Sequence, residues 1–152
     1  MTLTIDIAAF FKGTVLLLFV IVSVSIVALL AARIRRYFAS REFSGRDLEQ
    51  MRKRWGEIEE MVESSGEMSR KLAIVECDKL LDEALKSLAM PGDTLGERLK
   101  FAAYKYPDLQ EVWGAHRVRN QLVHEATFHL DAGIARKAVK TYRRALQRLG
   151  AI

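Results

Sequence analysis

The stretch DLQEVWGAHRVRNQLVHEATFHL, residues 108–130, predicts a long helix around which the rest of the chain is organised. Arg119 lies in the middle of its apolar face. Because an isolated charge is not stable in a dry core, Arg119 is expected to pair with an acid, to reach water or to lie at an interface. The apolar residues recur at helical spacing and fall on one face of the helix; they are Val112, Ala115, Leu122, Val123, Ala126 and Leu130.

The remaining sequence predicts further helices and no sheet. The chain has only two prolines and shows no extended alternation of apolar and polar residues. The clearest amphipathic helix covers 67–90, a shorter helix covers 94–105 and a final helix covers 132–149. A polar helix over 44–62 is either a stalk or the first helix of the bundle. The predicted fold class is therefore all-α, with a small antiparallel bundle of four to five helices.

Local signals predict where these helices begin and end. The sequence Pro91-Gly92-Asp93 ends the 67–90 helix, and Thr94 with Glu97 has the spacing of a capping box. Asp108 is expected to cap the 108–130 helix in the same way, and Asp131 to cap the final helix. The residues predicted to face the core are Ile74, Cys77, Leu81, Ala84, Leu85 and Leu88 in the first of these helices and Ile134, Ala138, Tyr142, Ala145 and Leu149 in the last.

An uncharged run of 20 residues, 13–32, is rich in Val, Leu, Ile and Phe. At about 1.5 Å per residue, a helix of this length crosses the hydrocarbon core of a bilayer. A cleaved signal peptide and a buried core helix are the alternatives. A signal peptide has a shorter apolar region and a positive n-region, whereas Asp6 here balances Lys12. A retained single-pass transmembrane helix is therefore predicted, with the lipid bilayer as its partner.

Positive charge follows this apolar run. The residues directly after it include Arg33, Arg35, Arg36 and Arg41, against Lys12 before it. The positive-inside rule predicts that the N-terminus lies outside the cytoplasmic (inner) membrane and the C-terminal domain in the cytoplasm. The predicted organisation is a short extracytoplasmic tail (1–12), a transmembrane helix (13–32), a basic juxtamembrane segment with a linker or stalk helix (33–66) and a helical bundle (67–152).

Most of the net positive charge of the chain comes from the arginines that follow the apolar run. The formal net charge is +5, but residues 42–152 carry 19 basic and 18 acidic residues, a net of +1. Within that part, residues 42–108 have 11 basic and 15 acidic residues, whereas residues 109–152 have 8 basic and 3 acidic residues. The overall charge is thus no argument for a nucleic-acid partner, although the basic half is the half that contains Arg119.

Arg119-Asn120-Gln121-Leu122-Val123-His124 resembles the signature of the HEPN superfamily, an Arg followed by a polar residue, with a His five positions after the Arg. With the Arg, His, Asn and Asp content of this chain, chance gives roughly 0.02 such motifs. The resemblance covers about residues 67–150. It implies a small all-helical bundle whose ribonuclease site lies at the two-fold interface of a homodimer and uses no metal or cofactor.

These residue types suit metal-independent RNA cleavage, in which the 2′-hydroxyl of the RNA is the nucleophile. The guanidinium of Arg119 stays charged and binds phosphate oxygens in pairs. The imidazole of His124 is of the type that moves protons near neutral pH. Asn120 would orient either group. Further candidate RNA-binding residues are His116, Arg117, Lys140, Arg143 and Arg144.

The residues also allow less specific interpretations. Arg119 pairs with an acid such as Asp78 or Asp82 across the bundle, His124 is a helix histidine without a catalytic role, or the basic last helix is only a solvated face. Two functions therefore stay open. The first is a membrane-anchored, dimeric endoribonuclease. The second is a non-catalytic, membrane-tethered module that dimerises or recruits an unidentified protein partner.

Overall fold

The computed structural model describes residues 7–39, 43–125 and 127–152 of the chain. Within these ranges it is all-helical and has no strand, which confirms the predicted fold class. The chain divides into two compact units, 1–40 and 41–152. Residues 1–6 of the predicted outer tail, Arg41 of the basic flank and Ala126 of the apolar face lie outside the described residues. The helices are α1 Ile7–Ala39, α2 Gly45–Glu63, α3 Glu67–Ser87, α4 Leu95–Lys105, a 3₁₀-helix Pro107–Glu111, α5 Val112–His124 and α6 Ala132–Leu149.

Helix α1 contains the apolar run predicted from the sequence. Its segment Lys12–Arg33 has a mean hydropathy of 3.1, and none of the apolar window within it is buried. This segment is long and apolar enough to cross a membrane. Large apolar side chains of this segment, such as Leu16 and Phe19, are 65% and 69% exposed.

Helix α3 is the centre of the second unit and contacts α2, α4, α5 and α6. All six core-facing residues predicted for it are buried, and Ala73, Asp78 and Leu80 are buried as well. The buried arc is therefore wider than one amphipathic stripe, because neighbours surround this helix on several sides. Burial, reinforced by the nearby carboxylates of Asp78 and Glu76, raises the pKa of the Cys77 thiol, which accordingly behaves as a small hydrophobic residue.

Helix α2 is the first helix of the bundle and not a free stalk. Its buried residues Met51, Trp55, Ile58 and Val62 pack into the common core, mainly against α3. Ser44 begins the helix by accepting a hydrogen bond from the backbone N–H of Asp47 in a capping box. The predicted caps of α4 and α6 are confirmed in the same manner, with Thr94 and Asp131 accepting backbone hydrogen bonds.

The helix that carries the HEPN-like motif is shorter than predicted. Residues Pro107–Glu111 form a 3₁₀-helix, and α5 begins at Val112 and ends at His124. The prediction that Asp108 caps this helix is wrong. No side chain caps the 3₁₀-helix, and the Asp108 carboxylate lies 3.3 Å from Nε of Arg148 instead. This contact joins two distant parts of the chain, and local spacing gives no indication of it.

The predicted helix stops at His124 because the chain that follows is tied to the start of α3. Glu67 accepts a hydrogen bond from the backbone N–H of Leu130 at 3.0 Å, and Lys71 Nζ donates to the Phe128 carbonyl at 2.7 Å. Asp78, later on α3, meets residues earlier on α5, so the two helices run antiparallel.

Two residues predicted to face the core lie at the surface instead. Val123 is 52% exposed and Ile134 is 43% exposed. Val123 is in the last turn of α5 and Ile134 in the first turn of α6, close to the ends of these helices. Helical periodicity identifies the side of a helix, but it does not say how far along that side the core extends.

Glu67→Gln is expected to loosen the 125–131 connection and to change how the bundle responds to acid. The backbone N–H of Leu130, together with Lys71, lowers the pKa of Glu67 to about 2. Because the folded pKa lies below the unfolded one, the carboxylate stabilises the fold above pH 4.5, and this contribution is lost as the pH falls towards 2.

We therefore expect the wild type to lose stability relative to Glu67→Gln between these two pH values, as measured by acid-dependent urea unfolding. At neutral pH the Leu130 amide should exchange about tenfold faster in the variant. Glu57→Gln, on an exposed face of α2, is the matched control. The same acid response in wild type and Glu67→Gln would contradict the prediction.

Candidate functional site

Asp78 is a carboxylate on the buried side of α3, with 4% of its surface exposed. A buried carboxylate requires partners, and three side chains provide them. The Tyr142 hydroxyl donates to Oδ1 at 2.8 Å, and Nδ1 of His116 lies 2.7 Å from the same oxygen. Nε of Arg119 lies 3.1 Å from Oδ2. Within the chain, Arg119 therefore pairs with Asp78 across the bundle, which was one of the alternatives open from the sequence.

Tyr142 contributes its hydroxyl from the core, where its side chain is fully buried. Burial, together with the charge and the hydrogen bond of Asp78, raises the pKa of Tyr142. The phenol therefore remains a protonated donor. The sequence predicted Tyr142 only as part of the apolar stripe of α6, and gave no indication that its hydroxyl meets a carboxylate of α3.

Arg119 keeps hydrogen-bonding capacity despite its ion pair. The contact with Asp78 lacks hydrogen-bond geometry, and Nε–H donates to no other atom in the described part of the chain. Nη1 donates to Oδ1 of Asn120 at 3.1 Å. The side chain is 28% exposed. Nε itself is buried, so a ligand in the cleft would meet the Nη groups, while the ion pair holds the guanidinium in place.

Three of the residues selected from the sequence, His116, Arg119 and Asn120, line one cleft of about 360 Å³ between α3, the start of α4 and α5. Lys79 and Thr94, which the sequence analysis did not select, also line it. The cleft has both signs of charge, so a ligand would meet the Arg119 guanidinium within a mixed environment. The remaining lining residues are Asp78, Asp82, Leu95 and Gly96.

The wall of this cleft at the start of α4 is held by Arg98, which is buried. Its Nε donates to Oδ1 of Asp82 at 2.8 Å, and its Nη2 donates to the carbonyl of Asp93 at 3.0 Å. A third hydrogen bond goes to the carbonyl of Gly92. Burial alone would raise the pKa of Asp82, but the hydrogen bonds from Arg98 and Lys86 together hold it below its ordinary value. Asp82 is therefore a charged anchor for this wall.

His124 and Arg117 lie apart from the cleft. Both are exposed on α5, and His124 makes no hydrogen bond or ion pair with any residue that the structure describes. His124 follows Arg119 by five residues, which places the two side chains about 140° apart around the helix. Arg119 and His124 of one chain therefore do not converge on one point.

The three basic residues selected on α6 line a different groove, of about 660 Å³, between α2 and α6. They are Lys140, Arg143 and Arg144. Arg143 pairs with Glu59 at 3.1 Å and Arg144 with Glu111 at 2.7 Å, both in exposed positions. Of the residues selected as RNA contacts, His116 thus lines the cleft, the three on α6 line this groove, and Arg117 lines neither.

One sequence signal indicates the centre of the site. Asp78 directly follows the apolar residue Cys77 and comes four residues after Ile74, so its carboxylate falls on the buried side of α3. Among the described residues there is no group of three or more His, Cys, Asp or Glu side chains that could hold a metal ion. The chain matches no protein-family model, and it has no significant match among curated proteins or solved structures.

Proposed function

We propose that the chain is a single-pass membrane protein with its N-terminus outside and its helical bundle in the cytoplasm. The apolar segment Lys12–Arg33 supports the span. The orientation rests on the arginines that follow this segment, because short loops rich in Lys and Arg stay on the cytoplasmic side. The bundle would then act within reach of the inner membrane surface.

We further propose that the bundle is a HEPN-like, metal-independent endoribonuclease. This proposal rests on how the side chain of Arg119 is held at the cleft. Its guanidinium is held by buried Asp78, donates to Asn120 and belongs to a side chain that lines the cleft and is 28% exposed. A cation that is fixed in place and reaches the cleft can stabilise the charge that develops on a phosphate during cleavage.

The reaction requires two proton transfers. The 2′-hydroxyl loses a proton as its oxygen bonds to phosphorus, and O5′ gains a proton as its bond to phosphorus breaks. His124, which is exposed and has no partner among the described residues, supplies one of these transfers. The products are a 2′,3′-cyclic phosphate and a 5′-hydroxyl.

A homodimer would bring an Arg119 and a His124 to the same ligand, which one chain alone does not do. Because Arg119 and His124 project in different directions from α5, one ligand is reached by Arg119 of one protomer and His124 of the partner subunit. Val123, adjacent to His124, is 52% exposed and offers apolar surface for such a contact.

The test uses the full chain in lipid nanodiscs with end-labelled single-stranded RNA in EDTA. We expect Arg119→Ala and His124→Ala each to slow cleavage by about 100-fold or more. Arg52→Ala, on an exposed part of α2, and His129→Ala, at 91% exposure, are matched controls and should cleave like the wild type. Cleavage that is indifferent to Arg119 and His124 would refute the proposed site.

The second candidate function is a non-catalytic tethered module. The observation that favours it is exposed apolar surface on the bundle, where Met68, Leu72 and Val123 are 77%, 48% and 52% exposed. If the wild type cleaves no RNA but forms a dimer that Val123→Glu weakens, as measured by light scattering in detergent, this candidate is favoured instead.

A further inference from the structure

His116 is a histidine outside the HEPN-like motif, yet it is a nearer neighbour of Arg119 on the helix surface than His124 is. It precedes Arg119 by three residues, so both side chains project from the same side of α5. Both also line the same cleft, whereas His124 does not. The structure thus brings together an imidazole and a guanidinium within one chain.

The imidazole of His116 is held in a defined orientation. Its Nδ1 lies 2.7 Å from Oδ1 of Asp78, and its side chain is only 14% exposed. The same carboxylate oxygen accepts the Tyr142 hydroxyl, which keeps the carboxylate in place. The ring of Trp113 packs edge-on against the imidazole, with ring centroids 6.1 Å apart. In the neutral tautomer that donates Nδ1–H to the carboxylate, the lone pair of Nε2 can accept a proton.

The charges around His116 suit a proton acceptor beside a phosphate. The carboxylate of Asp78 contacts the imidazole, and the same carboxylate pairs with Arg119. Lys79 and Asp82 of α3 line the same cleft. Tyr142 reaches the shared carboxylate from α6. Asp78 stabilises the imidazolium that forms on proton transfer, and Arg119 directs phosphate oxygens towards it.

We propose that His116 is a second catalytic residue, the general base of the RNA-cleaving site, a role that rests on the function proposed above. Nε2 of His116 accepts the proton of the 2′-hydroxyl while O2′ bonds to phosphorus. The bond between phosphorus and O5′ breaks, and His124 of the partner subunit donates the proton that O5′ takes. Solvent then returns both histidines to their starting protonation states.

The test separates the two proton transfers by changing the leaving group. One RNA has the natural linkage at its cleavage site, and a second has sulfur in place of O5′ there. A thiolate leaves without being protonated, so the sulfur substrate no longer needs the general acid. His116→Gln is the main variant, because its side-chain amide still donates a hydrogen bond to Asp78 but does not act as a base.

We expect His116→Gln to lower kcat by about 100-fold or more on both substrates, with little change in KM. His124→Ala should be slow on the natural RNA and recover on the sulfur substrate. His129→Gln, at 91% exposure, is the control and should behave like the wild type. A cooperative urea transition, followed by the fluorescence of Trp55 and Trp113 in the bundle, verifies that each variant is folded.

Each other outcome overturns a defined claim. Full activity of folded His116→Gln, or its recovery on the sulfur substrate, refutes the general-base role while the proposed ribonuclease function stands. If His116→Gln does not fold, His116→Asn is measured in the same way, and the same outcomes apply. Absence of cleavage by the wild type refutes the ribonuclease function, and the role of His116 with it.

Discussion

Asp78→Ala is expected to lower the free energy of unfolding of the helical bundle by about 4 kcal/mol. The substitution removes the common acceptor of three side chains. The Tyr142 hydroxyl is fully buried and His116 is mostly buried, so neither regains a full partner from water. Arg119, at 28% exposure, recovers part of its loss through solvation, which keeps the expected cost below that of an isolated buried charge.

Urea unfolding of the full chain in mild detergent measures this effect. Both tryptophans of the chain, Trp55 and Trp113, lie in the bundle, so their fluorescence reports on the bundle and not on the apolar helix. The matched control is Asp108→Ala, which removes an ion pair to Arg148 from a side chain that is 73% exposed. It should cost no more than about 0.5 kcal/mol. Equal costs for the two substitutions would refute the central role of Asp78.

A double-mutant cycle tests whether Tyr142 acts through Asp78. Tyr142→Phe alone removes a buried hydrogen bond to a carboxylate and should cost about 2 kcal/mol. In the Asp78→Ala background its cost should fall below about 0.5 kcal/mol, because the partner is already absent. Additive costs would show that the 2.8 Å contact between the two side chains contributes little to stability.

Gly92→Ala has the second largest expected effect, a loss of about 3 kcal/mol. Gly92 has a φ of +131°, a conformation that side chains other than glycine rarely adopt. An added Cβ would lie 2.7 Å from Cβ of Glu97 and 2.9 Å from the backbone nitrogen of Arg98. These atoms belong to the first turns of α4 and have no rotamer that relieves the contact.

The same unfolding experiment includes a control of opposite sign. Gly114→Ala lies on an exposed part of α5, and an added Cβ there meets nothing within 4 Å. It should raise the free energy of unfolding by about 0.5–1 kcal/mol, because alanine favours the helix and restricts the unfolded chain. If Gly92→Ala were neutral or stabilising, the turn before α4 would not require glycine.

The helices themselves could be predicted from the sequence because helical structure is decided locally. Backbone hydrogen bonds in a helix join residues four apart, and capping bonds join residues two or three apart. The spacing of Thr94 and Glu97, the cap at Asp131 and the apolar steps of α3 all lie within such short ranges. The predicted helix from Asp108 to Leu130 is wrong in its bounds, because contacts between distant parts of the chain involve the residues on both sides of α5.

The partners of Arg119 and His116 could not be predicted in this way. The sequence by itself determined that Arg119 lies on an apolar face and needs a partner, but Asp78, Asp82 and a dimer interface all satisfied that requirement. Within the chain, the antiparallel packing of α5 on α3 makes Asp78 the partner of Arg119. The packing of α6 brings the Tyr142 hydroxyl to the same carboxylate. Local periodicity specifies which side of a helix faces inwards. How far two packed helices are shifted along each other depends on the whole core, and that shift determines which side chains meet.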